Sequence, residues 1–163
     1  MNMERAMQKM LGPAQRRLQN MILRGTVALS VATGKMQVLQ LNGLAGETLG
    51  GIEHFEPFGF TSRPLAGAEH LTVFIDGDRS HGITIVVADR RVRPQDLEEG
   101  DVAVHDGRGQ RIQFTDGGIV IDCAGKPLSL VNCPAFMHDG VNVGNTHSHG
   151  DVESGNDNSG GPH

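Results

Sequence analysis

Thr26-Val27-Ala28-Leu29-Ser30-Val31, the turn Thr33-Gly34-Lys35, and Met36-Gln37-Val38-Leu39-Gln40-Leu41 decide the fold. Polar and apolar residues alternate here with a period of two, on either side of a glycine-containing turn, which is the pattern of a β-hairpin. Outward toward the C-terminus, Ile52 to Glu56, Leu71 to Ile75 and Gly82 to Ala88 read as three more strands, with Asp76-Gly77-Asp78 turning the chain between the last two. Five strands in about 65 residues, joined by irregular loops, predict a small closed or half-closed barrel of the OB type. Residues 94–99 read as one helical turn ahead of a further strand, Val102 to His105.

Outward toward the N-terminus the period changes. Met3, Met7, Met10, Leu11, Leu18, Met21 and Ile22 recur at helical spacing, and Gly12-Pro13 predicts a break into two short helical pieces. Five basic residues (Arg5, Lys9, Arg16, Arg17, Arg24) stand against one acid, Glu4, in residues 1–24. This reads as an amphipathic arm that docks on a neighbour; its charge is modest for a membrane-surface helix.

After Asp106 the apolar pieces shorten to Ile112 and Phe114, Ile119 and Ile121, Leu128 and Leu130, Val141 and Val143. They are separated by Asp116-Gly117-Gly118, Ala124-Gly125-Lys126-Pro127 and Asp139-Gly140. Burying an aliphatic side chain gains about 1.5–3 kcal/mol, whereas ordering each residue costs roughly 1–2. Strands with two or three inward side chains each do not cover that cost alone. Wound around two sister copies, the same residues make a narrow β-prism with a shared core, each copy supplying the face its neighbour lacks. Residues 150–163 are rich in Gly, Asn, Asp and Ser and read as disordered by composition.

Between the short strands and that tail lies His147-Ser148-His149. In an extended segment the two imidazoles share a face, supplying half of a tetrahedral site or a third of an octahedral one. No other His or Cys cluster lies nearby, so missing ligands are expected from other copies. Around a threefold axis two imidazoles become six, a closed octahedron that is structural and favours a first-row ion such as Fe(II) over Zn(II). The triplet with Glu153 and Gly160 also resembles the first motif of the cupins. A cupin is expected to continue with further strands and another His ligand, and only Pro162-His163 come after Gly160-Gly161.

Composition narrows the function further. The 163 residues carry a net charge of -5 with no Trp or Tyr, a poor match to the basic, aromatic tracks that grip nucleic acid. No run approaches the 18 or so apolar residues of a membrane span, and Glu4, Arg16 and Arg17 break any secretory signal, so synthesis in the cytosol is expected. Cys123 and Cys133 can pair, bind metal or pack as small hydrophobes, the last being the commonest fate of free cysteine. His54, His70, His81 and His105 are scattered and read as packing or solvent-facing. No phosphate-cradling loop, nucleophile elbow or Cys-x-x-Cys is present, and no enzyme activity is expected. The other reading is a binding module that holds oligonucleotide or saccharide on the barrel face.

Three stretches together resemble a known family: residues 51–61 (GIEHFEPFGFT), Asp89 to Glu99 leading into Gly100-Asp101-Val102, and Asn145-Thr146-His147-Ser148-His149 with its Gly-rich tail. The order of parts is similar to the central baseplate spike of contractile-tailed bacteriophages, the Mu-like baseplate assembly protein V family. The resemblance implies a mainly β fold: an N-terminal helical arm (1–23), an OB-fold (24–105), an intertwined trimeric β-helix stem (106–145) and a metal-binding tip (146–163). It implies a homotrimer in which His147 and His149 of three chains hold one Fe ion per trimer. It also implies contacts with other baseplate or tail-hub proteins through the N-terminal and OB region, assembly in the host cytoplasm, a place in the virion tail, and transient passage through the host outer membrane.

Overall fold

The computed structural model describes residues 3–144. One helix, α1 (Met3–Asn20), leads into five strands: β1 (Ile22–Val31), β2 (Gln37–Asn42), β3 (Thr48–His54), β4 (Glu69–Phe74) and β5 (Gly82–Ala88). They close into a barrel in the order β1-β2-β3-β5-β4, with β4 pairing back onto β1. Every pair is antiparallel except β3 with β5, where Glu53 faces Ile83 and His54 faces Thr84. The barrel expected from the period-two runs is present and fully closed, which leaves none of its strands with a free edge.

Alternation sends Leu23 and Val27 of β1, Leu39 and Leu41 of β2, Ile52 of β3 and Phe74 of β4 inward, and with Ala68 they form the core. Two glycines make that core possible. A Cβ on Gly25 would lie 2.0 Å from the Asn42 carbonyl oxygen and 2.8 Å from His70 Nε2, so β1 can approach β2 only without a side chain there. At Gly82 a Cβ would lie 2.7 Å from Cε1 of Phe74. The Arg79 guanidinium caps the Phe74 ring at 4.9 Å and pairs with Glu47 at 2.8 Å.

Two expectations about helices fail. α1 runs unbroken through Gly12-Pro13. Pro13 removes only the hydrogen bond to the Lys9 carbonyl, and solvent can replace it on a helix whose described side chains are nearly all exposed. The helix is held at its C-terminal end, where Phe74 N donates to the Met21 carbonyl at 2.8 Å and Arg17 reaches Asp76 at 3.4 Å. Residues 94–99 form no helical turn. They belong instead to a strap that leaves β5 at Asp89 and is closed by a turn in which Asp101 N donates to the Glu98 carbonyl and Glu98 N to the Asp101 carboxylate.

Beyond the strap, β6 (Val102–His105), β7 (Arg111–Thr115) and β8 (Gly118–Asp122) form an antiparallel meander in that order. The Asp106 carboxylate takes the Arg108 and Gln110 N–H groups at 2.8 and 3.0 Å to shape the first turn, and Asp116-Gly117 makes the second. The chain divides at Gly125 into two compact units. In the second, β9 (Met137–His138) and β10 (Val141–Asn142) pair across Asp139-Gly140, whose φ angles of 47° and 83° are those of a type I′ hairpin turn. Leu128 and Leu130, flanked by Pro127, form no strand. Among the described residues no helix is long and apolar enough to cross a membrane.

Candidate functional site

The β6–β8 sheet is built inside out. Its register aligns Val104, Ile112 and Ile121 in one row and Val102, Phe114 and Ile119 in the next, all on one face. All six side chains are between 42% and 67% exposed. The opposite face carries Arg111 and Gln113 with Ala103 and a half-exposed Val120, and the strap covers it at Arg111 and Gln113. Arg111 Nη1 reaches the Asp96 carboxylate of the strap at 2.7 Å, and Gln113, 8% exposed, donates to Asp101 at 3.3 Å. The hydrogen bond and charge of Arg111 hold the Asp96 carboxyl below its ordinary range. A soluble sheet normally buries its apolar face and wets its polar one. Here the polar face is tied down and the apolar face is bare.

The strap itself is riveted at both ends. Asp89, its first residue, clamps Arg91 at 2.8 and 2.5 Å, and Arg91 Nη2 donates to the Ala66 carbonyl at 3.0 Å. Glu69 of β4 receives Arg90 and also Arg24 of β1, and those two guanidinium groups lower its pKa.

Buried chemistry lies inside the barrel. His70, Thr72 and Thr84 form a chain, with His70 Nδ1 to Thr72 Oγ1 and Thr72 Oγ1 to Thr84 Oγ1 both 2.9 Å. His54 Nδ1 lies 3.2 Å from Gln37 Oε1, and Gln37 Nε2 donates to the Ser62 carbonyl at 2.6 Å. Burial lowers both histidine pKa values. These groups brace the barrel. His81, His105 and His138 are exposed and separate from them.

His147 and His149 lie outside the described residues. Among the described residues no group of three or more His, Cys, Asp or Glu side chains is placed to hold a metal ion. Cys123 and Cys133 are both free, and Cys133 is exposed, its thiol donating to the Ala135 carbonyl at 2.8 Å, so the packing role expected of it fails there. Sequence reasoning picked out the pairs Ile112 and Phe114, Ile119 and Ile121, but missed that Val102 and Val104 extend the same face. Their alternation through Val102-Ala103-Val104 was the available signal.

A closed five-stranded barrel that hands its chain to a sheet with a bare apolar face makes a mainly β protein. Residues 24–91 match the family described as bacteriophage Mu Gp45, N-terminal. The chain is 38% identical over 119 residues to the baseplate puncturing device gp45 of Escherichia phage Mu, covering 72% of this chain and 60% of that protein. It is also similar to the Mu-like prophage FluMu protein gp45 of Haemophilus influenzae, at 33% over 116 residues, 71% of this chain and 63% of that protein. Residues 24–91 thus carry the N-terminal region of the bacteriophage Mu Gp45 family. The chain spans about 60% of the length of these curated relatives.

Proposed function

We propose that this protein is the central spike of a phage tail baseplate: a structural homotrimer, not a catalyst, driven through the host outer membrane when the tail contracts. The observation that carries the reading is the bare face of β6–β8. Taking each of its six side chains from about half exposed to buried gains on the order of 1 kcal/mol, a sum that repays association when three copies turn these faces inward. Intertwined chains also remove free sheet edges, which a rigid, narrow point requires. Similarity to a relative named a baseplate puncturing device supports the place of action in the virion tail, and implies that the barrel and α1 meet other baseplate proteins.

At the tip, the donor chemistry fits a shared ion. Two imidazoles from each of three chains make six nitrogen ligands, suited to an octahedral first-row ion such as iron, with His147 and His149 as the ligands. The ion would supply only cross-linking between the three chains. Mass in solution by light scattering tests the reading. A trimer is expected, and a monomer at the concentrations of assembly would overturn it.

A further inference from the structure

The loop from β3 to β4 carries three aromatic side chains on its outside: Phe55, Phe58 and Phe60 are 50%, 105% and 64% exposed. It is a fixed loop. Phe60 N donates to the Pro57 carbonyl at 3.0 Å with Gly59 at a φ of 87°, a type II turn that puts Phe58 at the apex. The Glu56 carboxylate bridges the base of the loop, accepting from Thr61 Oγ1 at 2.9 Å and from Ser62 N at 2.6 Å. Beyond it, Arg63 donates to the Ser30 carbonyl at 3.1 Å. A large apolar group already held in place loses little freedom when a partner covers it, which is the signature of a docking anchor.

Topology says where this anchor points. Because β3 and β5 are parallel, the loop leaving β3 and the strap leaving β5 emerge from the same end of the barrel. A cleft of about 570 Å³ lies at that end, with Pro64, Leu65, Val87, Val92, His105 and Gly107 among its lining. Leu65, five residues after Phe60, comes within 3.2 Å of the Cβ position of Gly107 in the β6–β7 turn. The aromatic loop therefore stands beside the start of the sheet whose bare face calls for sister chains. An anionic lipid surface fits it poorly, since Glu53 and Glu56 flank the aromatics.

We infer that Phe58 and its loop dock on a second copy of this chain, in the barrel–sheet cleft of the next protomer around the ring. This is a head-to-tail contact, the kind that closes under threefold symmetry. The inference rests on the three-chain reading above. It places a side-to-side clasp at the top of the stem, separate from the apolar seam within it.

The absence of Trp and Tyr makes the test direct. Phe58→Trp introduces a single indole into the full chain; Leu44→Trp, at a site 69% exposed, is the control. In the assembled protein the indole at position 58 should emit to the blue of the control and resist acrylamide quenching several-fold better, and it should lose that protection when the assembly is diluted apart. Phe58→Asp should raise the concentration for half-dissociation about tenfold or more, and Val92→Asp should do the same without adding to it, because both remove one contact. A trimer by mass with an unprotected indole overturns the clasp and leaves the trimer standing; a monomer by mass overturns the trimer itself. Protection that persists in dissociated chains, or appears only with anionic vesicles, also overturns the clasp. Fully additive effects of the two Asp substitutions overturn the seat assigned to it.

Discussion

His70 is 2% exposed, with Nδ1 bound to Thr72 and Nε2 wedged where Gly25 lets β1 pass close to Asn42. Burial pushes its pKa below the ordinary 6.5, with the Asn42 backbone opposing, and burial does the same to His54 against the opposing charge of Glu56. The sign follows from linkage: the unfolded chain takes up protons near 6.5 that the folded barrel refuses. Their stabilising contribution is therefore complete above about pH 6.5 and is lost as pH falls from there through the lowered folded values. Urea midpoints measured between pH 7.5 and 5.5 should decline, and His70→Gln should flatten part of the decline; a slope unchanged in that variant would show that His70 is not the group responsible. Gly25 gives a second residue-scale prediction. Gly25→Ala drives a methyl into the Asn42 backbone and should destabilise the barrel by about 2–4 kcal/mol or prevent its folding. Gly50→Ala, with nothing within 4 Å of its Cβ position, should stay within about 0.5 kcal/mol of the parent in the same denaturant titration. The close approach at Gly25 was not legible in the sequence: a glycine opening a strand reads as a weak strand residue, and only the cross-strand neighbours reveal it.

At the scale of elements, the barrel strands were legible because a half-buried strand writes its period into the chain, and β5 was bounded to the residue. Ends were less legible. β1 begins four residues before Thr26, because Leu23 takes part in the core, while Ile22-Leu23 was absorbed into the helical pattern before it. Gly12-Pro13 misled for the opposite reason: a helix tolerates a proline where the orphaned carbonyl meets water. Residues 94–99 carry helix-forming Gln, Leu and Glu, yet the ion pair of Asp96 with Arg111 ties them to β7 instead. The same strap decides which face of β6–β8 is open, and that yields a prediction. Phe114→Asp or Ile112→Asp places a charge in the proposed seam and should abolish self-association, seen as a fall in mass by light scattering, while the thermal transition of the barrel stays within a few degrees. Arg111→Ala instead exposes the covered face and should loosen β7 in hydrogen exchange with little change of mass. Association unaffected by Phe114→Asp would mean that this face is covered by something other than sister chains.

For the molecule as a whole, charge and chemistry are graded along the chain. The first 24 residues carry five basic groups against one acid, while residues 106–163 carry three basic groups against seven acids. Acidic segments of sister copies repel one another unless something draws them together, and residues 150–163 are mostly Gly, Asn, Asp and Ser, with Val152 as the one aliphatic side chain. The shared cation proposed at His147-Ser148-His149 would offset that repulsion. How many metal ions each chain holds discriminates between the readings. Three chains donating two imidazoles each predict about one iron per three chains, whereas a site completed within one chain predicts one metal per chain. Elemental analysis on the assembled full-length protein should return the first ratio. His147→Ala with His149→Ala should bring it to background while the barrel keeps its thermal transition, because that domain draws its core from Leu23 to Phe74. The loss should appear instead as easier separation of the three chains in denaturant, since the cross-link is gone and only the seam remains. If the double substitution leaves the metal content unchanged, or unfolds the barrel, the two imidazoles are not the tip ligands.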